Sequence, residues 1–254
     1  MQDILEANFE DLFQSYENEV YRIVEGQYFI ATRKLVDSDD EHDILEEIID
    51  QSKPAVVTHN SRGKLHYLLY TPFRYPPLRS GGRFHTRIEQ SIFYASEKLE
   101  TAMAEVSYGR LAFLHHSEAK FQPMQVPYTH FVTKVQSNYA LLLNRQPFSN
   151  HIDSISNPQS YTASQTLGQA MRQRNTELFT YSSARHKNGI NVGLFSPEPF
   201  CSNSPIANKD RQWSVFISKN TIEFARPKLT MGHTESHVFT RESFYIADKF
   251  PIIL

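Results

Sequence analysis

The chain has little of what many function classes require. It holds one cysteine, Cys201, in 254 residues. That excludes an internal disulfide framework and suits a reducing compartment. Cys201 stands near Pro199 and Ser202 with no identifiable activating base, so a thiol nucleophile is not indicated. The formal net charge is -2, which sets up no overall basic field for nucleic acid or an anionic membrane. No uncharged apolar run is long enough to span a bilayer. The opening Met1-Gln2-Asp3-Ile4-Leu5-Glu6 is acidic and amphipathic, without the basic and apolar regions of an export leader. Repeats and low-complexity linkers are missing, and Gly81-Gly82 has neither Rossmann nor P-loop spacing. The expectation is a soluble cytoplasmic protein without membrane or direct nucleic-acid contacts.

What is present argues for a real core: 40% hydrophobic residues, with 13 Tyr and 18 Phe. Residues 3–18 put Ile4, Leu5, Phe9, Leu12, Phe13 and Tyr16 on one helical face, which predicts an amphipathic opening helix. Val20–Val24 reads as a strand. Asp37-Ser38-Asp39-Asp40 can start a helix whose Ile44, Leu45, Ile48 and Ile49 face the core and which ends before Pro54. Leu65–Tyr70, Ser91–Ala95, Leu178–Tyr181, Asn191–Phe195 and Trp213–Ile217 are strand-like, and Thr129–Gln136 alternates as a strand does. Ser96 can cap a helix carrying Leu99, Ala102, Met103 and Val106, with Glu105 at the edge of that stripe. A carboxylate there loses solvation and needs a reason to be there. Thr162 or Ser160 can cap a further helix through Leu167, Ala170 and Met171. Short strands interspersed with helices predict a compact α+β fold with a mixed or antiparallel sheet. Residues 1–19 are expected as a helical extension, and 20–254 as the main domain with a C-terminal extension.

Four patches share an order along the chain: Tyr21-Arg22; Gly81-Gly82-Arg83-Phe84; Tyr94-Ala95-Ser96 with Ala104-Glu105-Val106; and Tyr181-Ser182-Ser183-Ala184-Arg185 before Gly189 and Leu194-Phe195. Together they resemble the RES family, named for an arginine, a glutamate and a serine. The likeness spans residues 21 to 195. Departures are Phe84 for tryptophan, His85 for a frequent asparagine and Ser182 for proline. Thr162 stands where some members have a polar site residue. Bacterial members are toxins, usually paired with an Xre-type antitoxin, that degrade NAD⁺.

The resemblance implies a fold related to ADP-ribosyltransferases. It also implies NAD⁺ as substrate rather than prosthetic group, an acceptor that is inorganic phosphate or water, and an antitoxin that blocks the cleft. It assigns catalysis to Arg22, Arg83, Tyr94, Glu105 and Ser183, and NAD⁺ contacts to Arg22, Arg83, Tyr94, Thr162, Ser183 and Arg185. These types suit the chemistry. Guanidinium forks grip phosphate oxygens, and a tyrosine ring packs on nicotinamide or ribose. An ionised Glu105 would stabilise the oxocarbenium-like charge that builds as the nicotinamide leaves. Ser183 would bind phosphate or the nicotinamide amide and is not expected as a nucleophile.

Blander readings stand beside these: a strand salt bridge for Arg22, core packing for Tyr94, a solvated helix residue for Glu105, a turn for Ser183. Two other functions also remain open: ADP-ribosyl transfer to a macromolecular acceptor, and a silent module that keeps the fold. His233 and His237 lie four apart as a conceivable metal pair, but Gly232 and the strand formers after them argue for a loop, and no metal site is expected. His115-His116 is a weak signal. Arg172 and Arg174 read as solvated charges on a helix end. The unmatched ends leave room for self-association as a homo-oligomer.

Overall fold

The alternating stretch around Phe131 becomes the longest strand and the axis of the fold. The computed structural model describes residues 1–26, 35–52, 58–59, 63–77, 79–118, 120–206, 211–227 and 234–251. The order is α1 (Gln2–Glu6), β1 (Gln14–Glu25), α2 (Asp39–Ser52), β2 (Thr58–His59), β3 (Gly63–Lys64), α3 (Tyr67–Arg74), β4 (Phe93–Ser96) and α4 (Leu99–His116). There follow β5 (Met124–Leu142), α5 (Ile152–Ile155), α6 (Thr162–Gln173), β6 (Leu178–Ser182), β7 (Ile190–Leu194), β8 (Gln212–Ile217), β9 (Thr221–Pro227) and β10 (Thr234–Thr240).

One edge of β5 pairs antiparallel with β1, from Tyr128 opposite Glu25 to Ala140 opposite Gln14. Its other edge pairs antiparallel with β8 at Met124–Thr129 and parallel with β6 at Ala140–Leu142. β6 continues to β7 and β7 to β4, both antiparallel. β4 then meets β1 through the single pair Tyr21–Ser96. β1, β4, β7, β6 and β5 therefore close a ring, from which β8, β9 and β10 extend as an antiparallel flap. The fold is α+β with a mixed eight-stranded sheet. Phe93, Phe131, Phe200 and Val192 are fully buried in one core, while α4 packs across β1, β5 and β8 in another. No helix among the described residues is long and apolar enough to cross a membrane.

Several expected elements differ. The opening helix stops at Glu6, and a 3-10 turn over Phe9–Leu12 leads into β1. Burial of Ile4 and Phe9 holds that turn, and pairing with β5 draws Gln14 and Tyr16 into the sheet. The strand expected at Leu65–Tyr70 is instead helical from Tyr67, because Leu65, Leu69 and Phe73 bury with a period of four. α2 forms where expected, with Ser38 Oγ accepting from the Glu41 amide. Its apolar stripe does not reach the core: Ile44 and Ile48 are each 58% exposed. β9 and β10 were not foreseen. His237 lies within β10 rather than in a loop, bonded to Glu235, and His233 lies outside the described residues. Arg172 and Arg174 are not merely solvated: their guanidinium groups lie over Phe195 and Phe9 and donate to the carbonyls of Gln90 and Leu5.

The glycine turn is set by packing. Phe84 is fully buried, its ring centroid 4.6 Å from Phe179 and 4.8 Å from Tyr181. Gly168 brings the α6 backbone against this turn, since a Cβ there would lie 2.0 Å from the Phe84 carbonyl oxygen. Gly168→Ala is therefore expected to cost about 2 kcal/mol by overpacking. Denaturant unfolding checks this, and a variant as stable as the parent would mean that the contact does not constrain the turn.

Candidate functional site

Beyond the Tyr21–Ser96 pair, β1 and β4 no longer share a ladder, and a cleft of about 320 Å³ opens between them and α4. Arg22, Arg83, Tyr94 and Glu105 all line it, as do Tyr21, Tyr161, Tyr181 and Asn191. Four residues predicted from three of the four patches thus meet in one place.

Glu105 reaches the cleft from a helix that is buried on most sides. Its Oε1 accepts from Ser183 Oγ at 2.7 Å and from Asn191 Nδ2 at 2.6 Å. Asn191 is buried at the start of β7, and its Oδ1 accepts from Ser96 Oγ at 2.7 Å, which fixes the orientation of the amide. Oε2 of Glu105 has no hydrogen-bond partner among the described residues. Ser96 is thus spent on Asn191 inside β4 rather than on capping α4, whose N-cap is Lys98. Ser183 Oγ also accepts from the amides of Arg185 and His186, both at 3.0 Å. That hydroxyl gives its proton to a carboxylate and is held as an orienting group.

The two cleft arginines meet no carboxylate among the described residues. The Arg22 guanidinium lies 5.0 Å from the Phe93 ring centroid and donates to the Tyr94 carbonyl, taking the place of a missing ladder donor. Burial pushes its pKa down to about 10, so it stays charged at neutral pH. Arg83 is 8% exposed, lies over the Tyr161 ring at 4.7 Å and donates to the Asn157 carbonyl at 2.7 Å. A guanidinium has five N–H donors, so both keep donors for an anion. A buried cation bonded only to neutral groups is costly unless an anion arrives.

Tyr94 presents its ring to the cleft while its hydroxyl is fixed behind. The Phe84 amide donates to that oxygen at 3.1 Å, and His85 Nδ1 lies 3.2 Å away. Burial lifts the phenol pKa well above its ordinary value. Burial, and then the Arg172 charge, pushes the His85 imidazole down to about 4. Neutral at pH 7, it can accept the Tyr94 proton.

The other expected site residues lie farther out. Arg185 donates to the Pro158 carbonyl at 2.8 Å and covers the Tyr108 ring at 3.4 Å, behind the cleft. Thr162 opens α6 with its side chain exposed and does not line the cleft, whereas Tyr161 does. The sequence pattern marks Asn191 only as the start of a strand. The available signal was an asparagine, a residue depleted in strands, beginning an otherwise apolar one.

The family model described as the RES domain matches residues 57–217, more than half of the chain. No curated protein matches the sequence. Among solved structures, the M. tuberculosis MbcT–MbcA toxin–antitoxin complex is similar at a TM-score of 0.42 and 12% identity, over 73% of this chain and 78% of that one. The matched range holds Arg83, Tyr94, Glu105, Thr162, Ser183 and Arg185 and runs to the end of β8. It is wider at its C-terminal side than the four patches and begins after Arg22, which the fold alone brings into the cleft.

The neutral His85 ring has a pH signature. Its unfolded value is near 6.5 and its folded value about 4, so the unfolded chain takes up the proton first and stability falls as pH drops through that window. His130 shifts in the same direction. Unfolding free energies at pH 7 and pH 4.5 should therefore show a slope that His85→Gln reduces by about 1–2 kcal/mol. An unchanged slope would place the titration elsewhere.

Proposed function

The chain belongs to the RES-domain family, and from that premise we propose that it is a toxin that cleaves the nicotinamide–ribosyl bond of NAD⁺ in the cytoplasm. The observation that carries this reading is the pairing of opposite needs in one cleft. Among the described residues, Glu105 has one oxygen held by Ser183 and Asn191 and the other unclaimed, and Arg22 and Arg83 are cations without a carboxylate partner.

NAD⁺ answers both. Its pyrophosphate supplies the anion for the spare guanidinium donors, and its scissile bond builds positive charge for the carboxylate. As the C1′–N bond breaks, its electron pair neutralises the nicotinamide ring and the ribosyl carbon becomes oxocarbenium-like. Glu105, already oriented, stabilises that charge without reorganising. An oxygen of inorganic phosphate or water then bonds to C1′, with loss of a proton when water attacks. Tyr94 and Tyr161 offer aromatic walls for the flat nicotinamide, and the fixed Tyr94 hydroxyl holds its ring in place. The reading includes kinship with the ADP-ribosyltransferase fold and an Xre-type antitoxin that neutralises the toxin by filling this cleft.

Purified protein incubated with NAD⁺, with and without inorganic phosphate, is the direct test, with products identified by mass. ADP-ribose 1-phosphate formed only with phosphate marks phosphorolysis, and free ADP-ribose in both conditions marks hydrolysis. ADP-ribose attached to a macromolecule marks transfer. Glu105→Gln should lower the rate by about 10²–10³-fold while keeping the Ser183 and Asn191 bonds. NAD⁺ left intact by the unmodified protein would sink the proposal.

A further inference from the structure

The helix face that carries Glu105 continues past the cleft. Ala102, Glu105 and Val106 line the cleft, and Val106, Gly109, Arg110 and Phe113 line a second hollow of about 290 Å³. Ile23 of β1 belongs to both, so the two hollows adjoin along α4. Eight residues of helix separate Glu105 from Phe113, a span of about 12 Å.

Two features of this extension serve no evident need of the fold. Gly109 interrupts the interior of an 18-residue helix, where glycine is a weaker helix former than alanine. Unlike Gly168, it has no neighbour that demands it: a Cβ added there would meet nothing within 4 Å. Phe113 on the same face is 66% exposed. The far wall is polar and held in place, with Arg110 bonded to the Tyr128 hydroxyl and paired with Glu25. The result is a floor without a side chain, an uncovered aromatic ring and a carboxylate of the kind that accepts ribose hydroxyls.

We propose that this extension is the subsite for the adenosine end of the dinucleotide, with the purine against Phe113 and over the Gly109 backbone. The proposal rests on the NAD⁺ reading of the cleft. It places the pyrophosphate between the two hollows, within the field of the cleft arginines. The hollow on the other side of Tyr21 mixes Glu19, Glu97 and Glu100 with Lys98, Arg211 and Arg226, and its lining holds neither a glycine floor nor a ring as exposed as Phe113.

Adenosine 5′-monophosphate is the probe, titrated by calorimetry into the unmodified protein, Gly109→Leu and Phe113→Ala. Turnover of NAD⁺ and of nicotinamide mononucleotide, which lacks the adenylate, is measured on the same proteins. Affinity for the probe should fall about tenfold in each variant, as for loss of one stacked base. Gly109→Leu should also melt at a higher temperature, because it improves the helix while obstructing the groove. The advantage of NAD⁺ over the mononucleotide in kcat/KM should shrink in both variants. A probe that fails to bind the unmodified protein, or binds both variants unchanged, overturns the subsite. Probe binding that both variants weaken, in a protein that leaves NAD⁺ intact, keeps the nucleotide subsite and removes the cleavage reading instead.

Discussion

A carboxylate on a buried helix must be answered by donors, and much of this fold is arranged to answer Glu105. Asn191 is the pivot. It sits where β7 begins, takes the Ser96 hydroxyl proton from β4 and gives its own amide proton to α4. One side chain thereby fixes the relation of two strands and a helix. Ser183 adds a second donor from the turn after β6, whose own geometry is held by the Arg185 and His186 amides. Both donors converge on the same oxygen. Preorganisation of this kind fixes the carboxylate and leaves the lone pairs of the unclaimed oxygen open to a ligand, and the orienting groups need no movement when one arrives.

The cationic half of the cleft follows a complementary rule. Arg22 and Arg83 keep their charge while bonded to carbonyl oxygens and stacked on Phe93 and Tyr161. Carbonyls and ring faces hold a guanidinium in position without neutralising it. Carboxylate partners would have stabilised the empty protein more and left less for an incoming anion. The aromatic richness of the sequence therefore serves the site as well as the core, through rings that seat cations.

The four patches were legible because each binds a chemically distinctive residue to its local context: an arginine after a glycine pair, a glutamate at the edge of an apolar helix stripe. The mixed sheet followed from short apolar strands between helices. What could not be read was pairing across distance. Asn191 and Glu105 are 86 residues apart, and nothing near either one announces the other. The Leu65–Tyr70 segment misled because its aromatic content suits a strand, while Phe73, the residue that completes the helical period, lies beyond it. In α2 the amphipathic stripe was read correctly as helical, but periodicity carries no information on whether a partner surface exists. At the start of α6 the resemblance points to Thr162, whose side chain is exposed, while Tyr161, just before it, lines the cleft.

The long ladder between β1 and β5 has a consequence for synthesis. β1 is made early, yet its main partner begins only at Met124, and the donors that hold Glu105 come later still, on segments around Ser183 and Asn191. A chain emerging N-terminus first carries Arg22, Arg83 and Glu105 for much of its translation with no means of assembling them. The cleft comes into being only after β7 has left the ribosome. That ordering ties any chemistry of the cleft to the finished molecule, because no chain that ends before Asn191 holds both the carboxylate and the donors that orient it.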